Sequence, residues 1–455
     1  MRSRAVFWRR LAAACVMCAG ALALPAARAQ PSAAQVQELL EQNRKLQEQV
    51  RTQQKTIDEL NSKMTEIARA SERHEQALRG LAGRMDSATV PAVSEKSGGG
   101  SFARGAAEVR VAAETGLAYF RTGRNGQFPE GSFRADDPTI TIEAPVMKDT
   151  YFFTELKLLP RETNVEDFEL GELYVDFENV LGRVGYDGLL NVRVGRLNIP
   201  FGEEYLVRGP VANPLISHSL GDLWGVDEGV EAYGRIGPAS YVVAVQNGGV
   251  SRLRDFHKDK AVVARIGWQP ARWLSLSGSA MRTGKLSTAG DTLSELWFAN
   301  GFFRALGSSA TTDTFGVNVF QGDATARWKS GHASVSLGQV RFDDSDTTGD
   351  NSRKIRYGYV EAVQEVVEKL YAAARYSEIE APRGYPMAGW GPMGAFFFRP
   401  GVLTEELRRL SVGLGYRFGP PLVWKIEYAW ENGRLTTGVR REHGDFFGTE
   451  LAVKF

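Results

Sequence analysis

From residue 106 onward the chain alternates. In LVWKIEYAW, Leu422, Trp424, Ile426, Tyr428 and Trp430 share one face of an extended strand and Val423, Lys425, Glu427 and Ala429 the other, because successive strand side chains point to opposite sides. LSVGLGYRF does the same, setting Leu410, Val412, Leu414, Tyr416 and Phe418 against Ser411, Gly413, Gly415 and Arg417. The final GTELAVKF sets Leu451, Val453 and Phe455 against Glu450, Ala452 and Lys454. One side of each strand needs an apolar environment and the other needs water.

A soluble sandwich also alternates, so the spacing of the turns has to decide. Short links at Gly419-Pro420-Pro421, Gln269 to Arg272, Gly237-Pro238-Ala239 and Lys329-Ser330-Gly331 alternate with long polar ones at 197–227, 284–315, 342–354, 380–407 and 432–445. Short turns at one end, long loops at the other and aromatics near strand ends are the pattern of a barrel in a bacterial outer membrane. The pattern predicts sixteen antiparallel strands near 106–121, 139–145, 151–159, 168–178, 189–197, 228–236, 240–246, 260–268, 273–283, 316–328, 332–342, 355–365, 369–379, 408–418, 422–431 and 446–455. In hydrocarbon every backbone N–H and C=O must be paired, so such a sheet has to close, with the last strand beside the first. The expected fold is an all-β transmembrane barrel over 106–455.

Sixteen strands enclose more space than wall side chains fill, so the interior is expected to hold water. Taking the face opposite the apolar one places Lys157, Arg193, Arg235, Arg265, Arg375, Arg417 and Lys425 toward the lumen, with Glu155, Glu172, Asp176, Glu231 and Glu427. Two readings follow: a solvated wall whose charges pair with one another, or an arginine track that draws anionic solutes by its field.

LNIPFGEEYLVRGPVANPLISHSLGDLWGVDEG, Leu197 to Gly229, follows the fifth strand. Ile216, Leu220, Leu223 and Trp224 need something to pack on, and the inside of the wall would supply it. An infolded loop 197–227 would then bring Glu203, Glu204, Arg208, His218, Asp222 and Asp227 to the narrowest point of the passage.

The N-terminal part obeys other rules. Arg2, Arg4, Arg9 and Arg10 precede an apolar run, Leu11 to Leu24, and Ala27-Arg28-Ala29, the layout of a signal peptide over 1–29. Its apolar core is shorter than the roughly 20 residues of a spanning helix. Cys15 and Cys18, the only cysteines, fall within it, leaving the mature chain without disulfide or thiolate chemistry. Five of the 55 Lys and Arg and none of the 54 acids lie in 1–29, so the mature chain carries a formal charge of −4. That excludes the broad basic field of a nucleic-acid binder.

Residues 36–86 read as an α-helical coiled coil, with Val36, Asn43, Val50, Ile57 and Met64 at a positions and Leu39, Leu46, Leu60 and Ile67 at d. At about 1.5 Å per residue the rod would be on the order of 75 Å long. Asn43 would set its register, and His74 sits at a d position as a tolerated polar residue. SATVPAVSEKSGGGSFARG, 87–105, reads as a flexible linker.

VGRLNIPFGEE followed by WGVDEGVEAYGRIGP resembles the segment around strands five and six of the phosphate- and polyphosphate-selective (O/P-type) superfamily of Gram-negative outer-membrane porins. Gly195, Arg196, Pro200, Phe201 and Gly202 match the first half, and Gly229, Val230 and Gly234 the second. The resemblance implies a trimer whose subunits each have a pore narrowed by an infolded third loop. An apolar terminal strand ending in Phe is similar to the insertion signal of outer-membrane proteins. Phosphate selectivity is not carried over, because in that family it rests on a lysine cluster and an arginine ladder, whereas this loop mixes acids with Arg208. The rod ahead of the barrel is also similar to trimeric dicarboxylate channels of the DcaP type.

The expected function is diffusion of small hydrophilic solutes, anionic ones included, through a homotrimer embedded among outer-membrane lipid and lipopolysaccharide, with the coiled coil in the periplasm. A structural alternative uses the rod to tether the membrane to peptidoglycan. An enzyme finds little support. The histidines stand at 74, 218, 257, 332 and 443, and only His218 beside Ser219 suggests a pair, without the nucleophile-base-orienter set that catalysis needs. No metal site or cofactor is expected: Asp343 to Asn351, DDSDTTGDN, lacks the twelfth-position Glu of a calcium loop.

Overall fold

The computed structural model describes residues 100–104, 107–124, 129–158, 169–223, 225–248, 259–288, 311–344, 350–385 and 403–455. Of the chain's two compact units, Met1–Glu95 and Lys96–Phe455, the second holds every described residue. The signal segment 1–29, the heptads of 36–86, most of the linker and Trp224 lie outside the described residues.

Nineteen strands follow in order: β1 (Gly100–Arg104), β2 (Ala107–Thr122), β3 (Ser132–Met147), β4 (Thr150–Lys157), β5 (Glu169–Phe177), β6 (Asn191–Asn198), β7 (Val226–Ile236), β8 (Ala239–Gln246), β9 (Ala261–Ala271), β10 (Leu274–Arg282), β11 (Leu286–Ser287), β12 (Thr314–Trp328), β13 (Gly331–Asp344), β14 (Arg353–Val367), β15 (Leu370–Tyr385), β16 (Thr404–Gly419), β17 (Leu422–Leu435), β18 (Arg440–Arg441) and β19 (Phe446–Lys454). Sixteen of them, β2–β10, β12–β17 and β19, form one antiparallel ring. It closes where β19 returns to β2, with Lys454 opposite Glu114 and Phe446 opposite Thr122. Closure leaves no strand edge, and that is why sixteen half-apolar strands are stable together in a bilayer and not singly.

The register aligns the two faces of every strand. Arg375 lies opposite Ser411, Ser411 opposite Ala429, and Glu427 opposite Gly448, so inward residues stay inward around the wall. Outside stand Leu337, Leu410, Leu414, Phe418, Trp424, Tyr428 and Trp430, all exposed on the side expected to meet lipid. Trp268, Trp328 and Trp424 sit near the short-turn end, Tyr428 and Trp430 farther toward the long loops.

Wall height is uneven. β4, β5, β6 and β8 have 8 or 9 residues, while β12 to β17 have 14 to 16. At about 3.3 Å per residue the tall strands run nearly twice as far, well past a hydrocarbon layer about 30 Å thick.

All sixteen expected strands are present, with two local differences. The strand expected at 139–145 begins at Ser132, because a bulge opposite Glu114 and Gly116 absorbs the turn-like Asp136-Asp137-Pro138, with Asp137 at φ 50°. The end of the expected linker, Gly100–Arg104, is strand β1, paired with Ala107 to Val111 of β2. It takes up the β2 edge where the last strand stops, since Phe455 exchanges both backbone hydrogen bonds with Ala113. An unpaired edge is a cost that β1 removes.

Candidate functional site

Between β6 and β7 the chain folds into the barrel. Leu197, Ile199, Phe201, Leu220 and Leu223 are all buried. The last four join Val263, Met281, Val317, Val319, Ile355 and Ile379 from the inner faces of β9 to β15 in one apolar cluster. Ile216 enters a second cluster with Ala118, Phe120, Ala429 and Phe446, and Val211 and Leu215 a third with Tyr371 and Val423. The need for these residues to pack, legible in the sequence, is met by the wall.

The path can be followed from its anchors. Arg265 of β9 donates to Gly202 O at 3.0 Å and to Glu203 at 3.3 Å. The chain then crosses the interior through a 3-10 turn, Glu204–Val207, to β2, where Glu114 accepts from Val211 N at 2.8 Å. The tip next runs along β15 to β17. Tyr371 donates to Pro214 O, Arg375 to Ser217 O and Asn213, and Lys425 to Pro210 O and Leu215 O. Glu427 accepts from Ile216 N, Ser217 N and Ser217 Oγ at 2.6, 2.8 and 2.5 Å. Lys425 is the fourth residue from the short-turn end of β17, so the loop reaches deep. Gly413 and Gly448 leave the room it needs: a Cβ on either would stand 2.7 Å from Leu215 Cδ2 or 3.1 Å from Ile216 Cδ1.

The glycine-rich stretch leading into the loop has local reasons. Gly195, at φ 143°, lies so close to β5 that a Cβ would meet Leu173 O at 2.2 Å, and Gly202, at φ 72°, donates to Ser279 Oγ at 3.0 Å. Arg196 donates to Leu170 O and Gly171 O and pairs with Glu228 at 2.7 Å.

The six residues expected at the constriction are thereby sorted. Glu203 and Arg208 are partly exposed; Glu204, His218 and Asp227 are buried and hold the loop's own chain. Glu204 accepts from Ser219 N and Oγ. Burial pushes its carboxyl up to about 7, with Asp222 adding to the push while Arg375 and Ser219 hold it down. Arg208 and His218 both reach Asp222, at 2.6 and 3.1 Å. Asp227, at the start of β7, accepts from Glu228 N and Gly248 N. Of the six residues expected at the constriction, Glu204, His218 and Asp227 therefore serve the loop's own folding. A loop inside a barrel must satisfy its own backbone, and it spends its polar side chains doing so. Ser219 and His218 turn to different partners, which removes the one suggestive pair. Among the described residues no cluster of acids and histidines could hold a metal ion.

The lumen arginines and lysines all lie on the inward parity, and most are neutralised. Arg193 pairs with Asp176 at 2.9 Å and Glu231 at 3.3 Å. Arg265 pairs with Glu203, Arg375 with Glu361 and Lys425 with Glu450. Sequence reading missed Arg409, buried against Glu431 at 2.6 Å, although its alternation with Leu410 pointed inward. Arg235 and Arg417 stand exposed near the short-turn ends.

What stays open is the side away from the loop's clusters. Thr139, Thr141, Glu143, Tyr151, Phe153, Glu155, Lys157, Glu172, Tyr174 and Tyr233, inward on β3 to β5 and β7, are all partly exposed, and no apolar residue of β3, β4 or β5 is buried. On the crossing segment Tyr205 is partly exposed and Leu206 and Val207 are 54% and 46% exposed. Burial pushes the Tyr205 phenol up to about 12; Arg265 opposes this, and Glu231, Glu203 and Glu172 add to it. Those acids put Tyr205 within electrostatic reach of β5 and β7.

Solved structures share this architecture. OmpT of Vibrio cholerae, an outer membrane protein folded in vitro, aligns at 10% identity and TM-score 0.53 over 78% of this chain and 99% of that one. The outer membrane channel DcaP of Acinetobacter baumannii aligns at 12% identity and TM-score 0.50 over 77% and 97%. The anion-selective porin from Comamonas acidovorans aligns at 9% identity and TM-score 0.50 over 76% and 99%. No family model matches the chain, and no curated protein matches it in sequence. At these identities the likeness is one of fold: a closed, sixteen-stranded outer-membrane barrel.

Proposed function

We propose that the protein is an outer-membrane porin through which small hydrophilic solutes diffuse, assembled as a homotrimer with its coiled coil in the periplasm. The observation that carries this is the unequal filling of the barrel. One half of the interior is packed by the infolded loop and the other keeps a partly exposed polar wall, and a wetted wall inside a wide barrel is a diffusion path. The trimer rests on the heptads of 36–86 and on the porin-like sequence around strands five and six.

Charge selectivity is expected to be weak. The porin from Comamonas acidovorans is anion-selective, but the arginine-track reading needs unpaired cations, and Arg193, Arg265, Arg375 and Lys425 each have a carboxylate within 3.3 Å. Paired charges project little net field into the lumen.

Purified protein in a planar bilayer should open in steps grouped by three, with a reversal potential near zero across a salt gradient. Replacing Arg193 and Arg265 by Gln should shift it toward cations, because Asp176, Glu231 and Glu203 would lose their partners. A bilayer that stays sealed at every voltage would overturn the channel reading and favour the rod as a tether to peptidoglycan.

A further inference from the structure

We infer that the open side of the barrel carries a subsite for neutral sugar rings, formed by Phe153, Tyr174 and Tyr233 around Arg193. This deepens the proposed channel reading and rests on it. The four side chains come from the inward faces of four neighbouring strands, β4 to β7: Phe153 is opposite Tyr174, Asp176, two residues on, is opposite Arg193, and Arg193 is opposite Glu231, two residues before Tyr233.

The rings and the guanidinium form a row along the wall. Phe153 and Tyr174 stack with centroids 5.0 Å apart and planes 22° from parallel. The Arg193 guanidinium lies 5.1 Å from the Tyr174 ring and 4.4 Å from the Tyr233 ring. Beside Tyr174 the row continues onto Gly195 and then Gly229, where the neighbouring strands close in and no side chain rises. Polar groups are fixed along the same stretch of wall. Arg193 Nε donates to Asp176 at 2.9 Å and Tyr233 OH donates to the same carboxylate at 2.8 Å. Glu172 accepts from Asn198 N at 2.9 Å.

The chemistry matches a polyhydroxylated ring. C–H groups of such a ring would pack against the exposed parts of these aromatic side chains, and its hydroxyls would bond to carboxylates and a guanidinium already held in place. A free anion is disfavoured, because the single cation is shared by two acids. The location also tells against a merely structural stack. On the packed side the large inward side chains Phe120, Phe315 and Tyr385 are fully buried, whereas Phe153, Tyr174 and Tyr233 remain partly exposed toward the passage.

The test uses the full chain in planar bilayers, with methyl glucoside and an open-chain hexitol as probes added at equal concentration and matched viscosity. The glucoside should reduce ion current at a concentration about tenfold below the hexitol. In Phe153→Ala/Tyr174→Ala its half-blocking concentration should rise by about threefold or more, the loss of one or two ring contacts. Tyr174→Phe should behave as wild type. Equal block by both probes in the wild-type channel, which requires no variant, would overturn the subsite, as would a glucoside preference that survives the double substitution. Failure of the wild type to conduct at all would instead remove the channel reading and the subsite with it.

Discussion

The two halves of the barrel interior use the same alternation for opposite ends. On β12 to β17 the inward face is Val317, Val319, Val340, Ile355 and Ile379, with Arg375, Arg409, Lys425 and Glu427 among them, all less than 5% exposed. On β3 to β5 it is Thr139, Thr141, Glu155, Glu172 and Tyr174, partly exposed, with no buried apolar residue. The outward faces of the two halves are alike. A single inward pattern therefore does not decide whether a stretch of wall is dry or wet; that depends on whether the loop lies against it. Buried charges on the packed side are tolerable because each meets a partner, as in Arg375 with Glu361 and Arg409 with Glu431.

The comparison is broken most severely at Glu427. Its carboxylate takes three hydrogen bonds from Ile216 and Ser217 near the tip of the loop. Hydrogen bonds to a charged group contribute about 1.5–3 kcal/mol each, and the loop's N–H groups would be left unpaired. Glu427→Ala should weaken the seat by about 3–5 kcal/mol. The tip should leave the wall, single-channel conductance should rise, and added protease should cut within 209–218. Unchanged conductance and protease resistance would show that the apolar clusters alone hold the loop.

That dependence explains how much could be read beforehand. The sixteen strands were legible because alternation is local: Trp424, Ile426 and Tyr428 declare their face without any partner. The first half of β3 was not, since Asp136, Asp137 and Pro138 look like a turn and become strand only through the bulge opposite Glu114. The loop's need to pack was legible from Ile216, Leu220 and Leu223. The fate of its polar residues was not, because Glu204, His218 and Asp222 find their partners in the loop's own folding, across separations of 4 to 15 positions. Nor could the sequence tell Arg193, at the open wall, from Arg375, sealed beneath the loop; both alternate with apolar neighbours.

A smaller change comes from pH. Glu204 has a carboxyl raised to about 7 in the seated loop, from an ordinary value of 4.5, chiefly by burial. Between those values the seated state holds a proton that a released loop would lose, so the seat is strongest below pH 4.5. It weakens as pH rises to about 7 and is level beyond. A shift of that size corresponds to at most about 3 kcal/mol. Brief openings to a higher conductance level should become more frequent from pH 5 to 7. Glu204→Gln should flatten the profile, and a profile that stays steep in this variant would move the titration elsewhere.

The smallest expected effect sharpens the contrast from the other side. Val207 lies on the segment that crosses from Arg265 to Glu114, and nearly half of its surface is free. Nothing packs it into place, so Val207→Trp has no core to disrupt and should leave thermal stability unchanged. The added indole would take up free space beside the crossing segment, and conductance is expected to fall on the order of twofold. The same substitution at Leu215, beneath which Gly413 has no room for even a Cβ, should instead destabilise the loop and raise conductance. If tryptophan at both positions moved conductance in the same direction, the division into a packed and an open half would not describe how this barrel conducts.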